Sequence, residues 1–214
     1  MVKLSRTSKL DGIMSWSLQA IDTCPGSKDK NGNLVAACQG CYATTGNYNF
    51  PNVKAPRIFN KVDWQREDWV NDMVKALDNE RYFRWFDSGD VYHVKLAEKI
   101  YQIMRLTPHV KHWLPTRMLK FSKFSSIFDK MKALENVMIR FSSDSVMGEY
   151  EAGKHGSTIL PDEHTPSGVF RCMAYASDGK CNGCRACYDK TIQVIGYPQH
   201  GVKMKRVINL KIAA

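Results

Sequence analysis

Between Tyr82 and Ser145 short apolar runs alternate with amphipathic stretches, and this alternation constrains the fold more than any other feature. Tyr82-Phe83-Arg84-Trp85-Phe86 is an aromatic run ending in Asp87-Ser88-Gly89-Asp90. Residues 94–106, VKLAEKIYQIMRL, carry apolar positions at helical spacing. His112-Trp113-Leu114 ends in Pro115-Thr116-Arg117. Residues 124–134 repeat the helical pattern, with Ser122 as a candidate cap, and the strand 137–141 ends in Ser142-Ser143-Asp144-Ser145. Strand–helix–strand–helix–strand at this spacing predicts a parallel sheet, because parallel neighbours need crossovers and right-handed crossovers lay helices on the sheet.

In parallel α/β folds the site lies at the carboxyl ends of the strands. Asp87 to Asp90, Thr116-Arg117 and Ser142 to Asp144 are therefore expected on one face. Any one of these clusters alone reads as turn or cap chemistry; three consecutive strands with the same habit read as a site.

The remaining elements are less regular. A first strand is expected over 15–20, a helix over 64–78 with Trp64 and Trp69 as core anchors, and short strands over 156–160 and 168–172. The tail suggests one or two more strands, and His200 reads as an exposed turn residue. Residues 1–14 read as a loose arm, and 44–62 as irregular, with a turn of helix near Pro56. At 214 residues the simplest organisation is one domain: the arm, a β/α core over 15–150, and a cysteine-rich region over 151–214. The sheet is expected to hold five or six strands.

Seven cysteines fall in two groups. Cys24, Cys38 and Cys41 come from one Gly-, Asn-, Asp- and Lys-rich loop after the first strand, spaced C-x13-C-x2-C. Thiolates select zinc and iron–sulfur clusters over hard cations. On a [4Fe–4S] cluster three cysteines leave one iron corner open. Cys172, Cys181, Cys184 and Cys187 form C-x8-C-x2-C-x2-C, whose core resembles the ligand run of bacterial ferredoxins; a closed four-cysteine zinc site is the alternative. The arithmetic suits one open-cornered and one fully ligated cluster, and a single cluster drawing on both groups also satisfies it.

No apolar run reaches the ~18 residues of a membrane span, and no signal-peptide pattern opens the chain. A cytoplasmic protein is expected, with clustered cysteines as metal ligands. The formal charge of +10 predicts an anionic partner, either nucleic acid or an anionic substrate, although aromatic and basic residues form no evident single-strand stacking platform.

A first strand followed by a cysteine loop ending C-x2-C-Tyr-Ala, on a parallel α/β scaffold, resembles the radical S-adenosylmethionine superfamily. More narrowly, SWSLQA-x3-CPGS, CQGCYA, DSGD, PTR and CNGCRAC resemble the bacteriophage "gene product 88" family, over roughly residues 13–200. The resemblance implies a partial, open (β/α) barrel with a cluster at its mouth, and the host cell cytoplasm as location. It implies Cys24, Cys38 and Cys41 as cluster ligands and S-adenosylmethionine on the fourth iron, cleaved by one electron to a 5′-deoxyadenosyl radical. Tyr42, Ser88, Gly89, Asp90, Thr116 and Ser142 would contact the cofactor, with Asp90 and Arg117 as catalytic candidates. Two features depart from the superfamily: the long first cysteine spacer replaces C-x3-C, and Tyr42 follows the last cysteine where an aromatic residue usually precedes it. Three functions follow as alternatives: a radical S-adenosylmethionine-type enzyme fed by an electron donor, a non-catalytic electron-transfer or redox protein, and a nucleic-acid-binding protein with structural clusters.

Overall fold

The computed structural model describes residues 1–213. Its strands are β1 (Ser5–Thr7), β2 (Ile13–Trp16), β3 (Tyr82–Trp85), β4 (Lys111–Thr116), β5 (Val137–Ser142), β6 (Gly156–Leu160), β7 (Val169–Arg171) and β8 (Val194–Pro198). Its helices are α1 (Ala36–Gln39), α2 (Pro51–Asp63), α3 (Trp69–Ala76), α4 (Val94–Leu106), α5 (Ser125–Lys132) and α6 (Val202–Ile212). The strands form one open sheet in the order β1-β2-β3-β4-β5-β6-β8-β7. Only the β1–β2 pair is antiparallel. Eight strands replace the expected five or six, because β1 and the short tail strands all join one sheet.

The period of two along each strand sorts the two faces. Trp16, Phe83, Trp85, Leu114 and Ile139 face the helices and pack with Trp69, Met73, Leu96, Ile100 and Phe128 in the main core. Trp16 meets Trp69 edge-on at 5.2 Å and Trp85 at 6.2 Å, a geometry that aromatic quadrupoles favour. The opposite face carries Arg84, Trp113 and Arg140. Leu10 and Ile13 pack there with Trp113, alongside Cys181, Cys187 and Tyr188, and the short 3-10 turn Ala186–Tyr188 lies against it.

Several expectations are corrected. The arm is ordered: β1 pairs with β2, and Asn60 Nδ2 donates to Lys3 O and Ser17 O at 3.0 Å. The strand expected over 15–20 is β2, Ile13–Trp16, and β1 precedes it. Residues 51–63, expected to be irregular, are a helix with Pro51 at its first position, where a missing N–H costs nothing. Its buried positions are Arg57, Asn60 and Asp63; their spacing is helical but their chemistry is polar, so no apolar periodicity advertised it. The helix expected over 64–78 starts at Trp69, and Trp64 caps α2. Ser122 caps nothing. The tail supplies β8 and then a helix, α6.

Buried His112 on β4 gives the fold a pH dependence. Its Nδ1 accepts from Trp85 Nε1 at 3.3 Å, and Nε2 lies 2.9 Å from Thr107 Oγ1. Burial pushes its pKa from 6.5 down to about 3. The unfolded chain therefore takes up a proton that the folded one refuses, and stability falls as pH drops from 6.5 towards 3. One proton corresponds to about 1.4 kcal/mol per pH unit. Urea titrations between pH 6.5 and 4.5 should show that slope, and His112→Gln should flatten it.

Candidate functional site

A cavity of about 620 Å³ opens at the carboxyl ends of β3, β4 and β5. The three polar strand ends meet there, through Asp87 to Asp90, Thr116-Arg117 and Ser142-Ser143, joined by Ser157 and Thr158 of β6 and Tyr197 of β8. Cys24, Cys38 and Cys41 line one part and Cys172, Cys181 and Cys187 another. Cys184 is exposed and does not line it.

The first cysteine loop is held by its own backbone and by the strand ends. Ser27 Oγ donates to Cys24 O at 2.6 Å, Cys38 N to Val35 O at 2.8 Å, and Ala37 N to Asp144 O at 3.0 Å. A Cβ on Gly26 would stand 2.7 Å from Arg117 Cβ, so only glycine lets this loop lie against the β4 end. Gly89 has φ +79°, and a Cβ there would meet Leu18 Cβ at 2.5 Å.

Burial, as the leading cause, pushes the thiols of Cys24, Cys38 and Cys41 up, with Asp90 adding to the effect at Cys24. Arg117 pulls Cys38 and Cys41 the other way. In the second group burial raises Cys187 and takes Cys181 to about 11, with Cys172 next among its causes. Tyr197 Oη lies 3.3 Å from Cys187 Sγ. Among the described residues no three Cys, His, Asp or Glu side chains converge closely enough to grip a single metal ion.

The expected cofactor residues divide by what they already hold. Asp90 is fully engaged: Oδ1 accepts from Thr116 Oγ1 and Val91 N, both at 2.7 Å, and Oδ2 from Arg117 N at 2.9 Å. It clamps the β3 end to the β4 end. Ser88 Oγ donates to Leu18 O at 2.7 Å and accepts from Arg57 Nε at 2.6 Å. Tyr42 Oη donates to Asp87 O at 2.8 Å while its ring remains exposed. Ser142 lies 3.5 Å from Ser157 Oγ. Arg117 donates Nη2 to Ser143 O at 2.9 Å; its Nε is 3.5 Å from Asp144 Oδ1, an ion pair without hydrogen-bond alignment.

Sequence reasoning missed the cavity's cationic and aromatic wall. Arg57 and Arg84 share Asp87, at 3.2 and 2.9 Å, and Tyr48 Oη donates to the same carboxylate at 2.6 Å. The available signal was Arg84's place between Phe83 and Trp85, which turns it to the face opposite the core. His200, expected in an exposed turn, is half-buried; its ring lies 4.2 Å from Tyr175 and 5.9 Å from Tyr42. Five cationic side chains line the cavity (Arg6, Lys9, Arg57, Arg84, Arg117) against two acidic ones, Asp87 and Asp90. Behind it, fully buried Arg140 donates to the carbonyls of Ala186, Cys187, Asp189, Ile192 and Gln193 at 2.8–3.3 Å, with no carboxylate partner.

No helix among the described residues is long and apolar enough to cross a membrane. No curated protein and no solved structure matches the chain. The family model described as Gene product 88 matches residues 2–208, nearly the whole chain. A match of that extent takes in β1 to β8, both cysteine groups and all three polar strand ends, and the chain belongs to the gene product 88 family.

Proposed function

We propose that this protein is an iron–sulfur enzyme of the radical S-adenosylmethionine type, acting on an anionic substrate. The carrying observation is that six of seven thiols, from opposite ends of the chain, line one cavity at the carboxyl ends of parallel strands. In this reading the open sheet is a (β/α) barrel that never closes.

The donor set suits the group. Thiolates outnumber the positive charge of an oxidised four-iron core, so such a cluster is anionic, and its wall has more cations than acids. Arg140, buried beside Cys187 with no ion pair and only Asp189 as a carboxylate within electrostatic reach, favours negative charge on the thiols next to it. A cluster is also larger than an ion, so its thiolates stand further apart than the ligands of a single metal.

Cys24, Cys38 and Cys41 would hold the first cluster and Cys172, Cys181 and Cys187 the second. The bound cluster with S-adenosylmethionine supplies single-electron chemistry, for which an external electron donor is required. Asp90, its oxygens engaged, acts here by positioning Arg117 and the β4 end rather than as a free base. Arg117 faces Cys38 and Cys41 with a positive charge, and Tyr42 holds the strand end at Asp87 beside the first cysteine loop. The same engagement of Asp90 favours a second reading, a non-catalytic electron carrier.

Anaerobic reconstitution with iron and sulfide tests the proposal. The expected product is brown, with the broad visible absorption of such clusters and iron and sulfide counts matching two. A colourless protein with stoichiometric zinc overturns it. Clusters without any spectral response to S-adenosylmethionine select the electron carrier.

A further inference from the structure

The four C-terminal cysteines are not equivalent. Cys172, Cys181 and Cys187 line the cavity, whereas Cys184 is exposed outside it. The tight spacing C-x2-C-x2-C would let all of them turn one way, so their separation needs a cause. The cause is in the turn. Asn182 and Gly183 both have positive φ, 46° and 82°, which reverses the chain directly after Cys181. The reversed turn is pinned from outside: Gly183 N donates to Asp11 Oδ2 at 3.0 Å and Arg185 Nη1 to the same oxygen at 2.8 Å. Cys181 N donates to Lys9 O at 2.8 Å. The N-terminal hairpin thus holds Cys184 on the outer side of the loop and Cys181 on the inner side.

Resting on the iron–sulfur reading above, we infer that the second cluster is held by three thiolates, Cys172, Cys181 and Cys187, and that its fourth iron is a binding site for an anionic ligand carrying an oxygen or nitrogen donor. A four-iron cluster has four corners, and three cavity thiolates leave one without a protein ligand. Anionic character is set by the surroundings. Arg84 lies within electrostatic reach of Cys187, gives Nη1 to Asp87 and has no partner for Nε. No acidic side chain from the C-terminal half of the chain lines the cavity. A donor atom on iron with a carboxylate or phosphate towards Arg84 suits this wall, and an apolar molecule or a cation does not.

The test uses the full chain, reconstituted anaerobically. Cys184→Ala is expected to keep the wild-type iron and sulfide content, while Cys187→Ala loses one cluster's worth. In the loaded wild-type protein iodoacetamide should label Cys184 alone, as read by mass spectrometry. Cyanide serves as the anionic probe of an open iron. In the Cys24→Ala/Cys38→Ala/Cys41→Ala variant it should change the paramagnetic resonance spectrum of the remaining cluster, and Arg84→Gln should weaken that response. Loss of iron in Cys184→Ala equal to that in Cys187→Ala, protection of Cys184 from alkylation, or indifference of the spectrum to cyanide each overturns the assignment while leaving the iron–sulfur reading intact. Wild-type protein that takes up no iron overturns both.

Discussion

Arg140→Met should cost at least about 1–3 kcal/mol of folding stability, the cost of leaving a buried acceptor unsatisfied. The reason is an inventory of donors. One guanidinium, 0% exposed, serves five carbonyls spread over residues 186–193 and so fixes the C-terminal cysteine loop to the face of β5 opposite the main core. Methionine fills similar space but supplies none of the five donors, and each carbonyl left buried and unsatisfied carries its own desolvation cost. Domains are stable by only about 5–15 kcal/mol in total, so the loss takes a large share. Arg140→Lys should fall between, because three donors on a point charge cannot reproduce a planar fork. Urea midpoints at unchanged slope measure the effect. A midpoint shift worth less than about 0.5 kcal/mol, the scatter of ordinary surface substitutions, would mean that the loop is held by other contacts.

Cys41→Ala should abolish any effect of S-adenosylmethionine on the cluster's paramagnetic resonance and remove one cluster's worth of iron. The second group should keep its spectrum, because its thiols come from a separate stretch of chain. Cys41 N donates to Cys38 O at 3.2 Å, and the residue lies between α1 and Tyr42, on a loop anchored by Gly26 against Arg117. Alanine there changes a ligand without changing the loop's hydrogen bonds, so the unfolding midpoint of metal-free protein should barely move. Asp90→Asn separates positioning from ligation. The amide keeps an acceptor for Thr116 but loses charge opposite Arg117, so the response to S-adenosylmethionine should weaken with iron content unchanged. An undiminished response in Cys41→Ala would move the cofactor to the second group.

The sequence determined the parallel β3–α4–β4–α5–β5 core nearly to the residue, because a period of two flanked by a period of 3.6 has few other solutions. It also determined the two groups of cysteines, and that three polar strand ends share a face, since both follow from chain order. Three things were decided only in three dimensions. Helix α2 was hidden because it buries Arg57, Asn60 and Asp63; Arg57 and Asn60 find partners at Lys3, Ser17, Asp87 and Ser88 that no local window contains, while Asp63 pairs with Arg66 just beyond the helix. Arg140 looks in sequence like an exposed charge in a strand; its burial depends on carbonyls some fifty residues away. Cys184 looks identical to Cys181 and Cys187, and only the contact of Asp11 with Gly183 and Arg185, across more than 170 residues, turns it out of the cavity. Each concerns a polar group, and for polar groups burial depends on long-range hydrogen-bond partners, whereas for apolar ones the local pattern suffices.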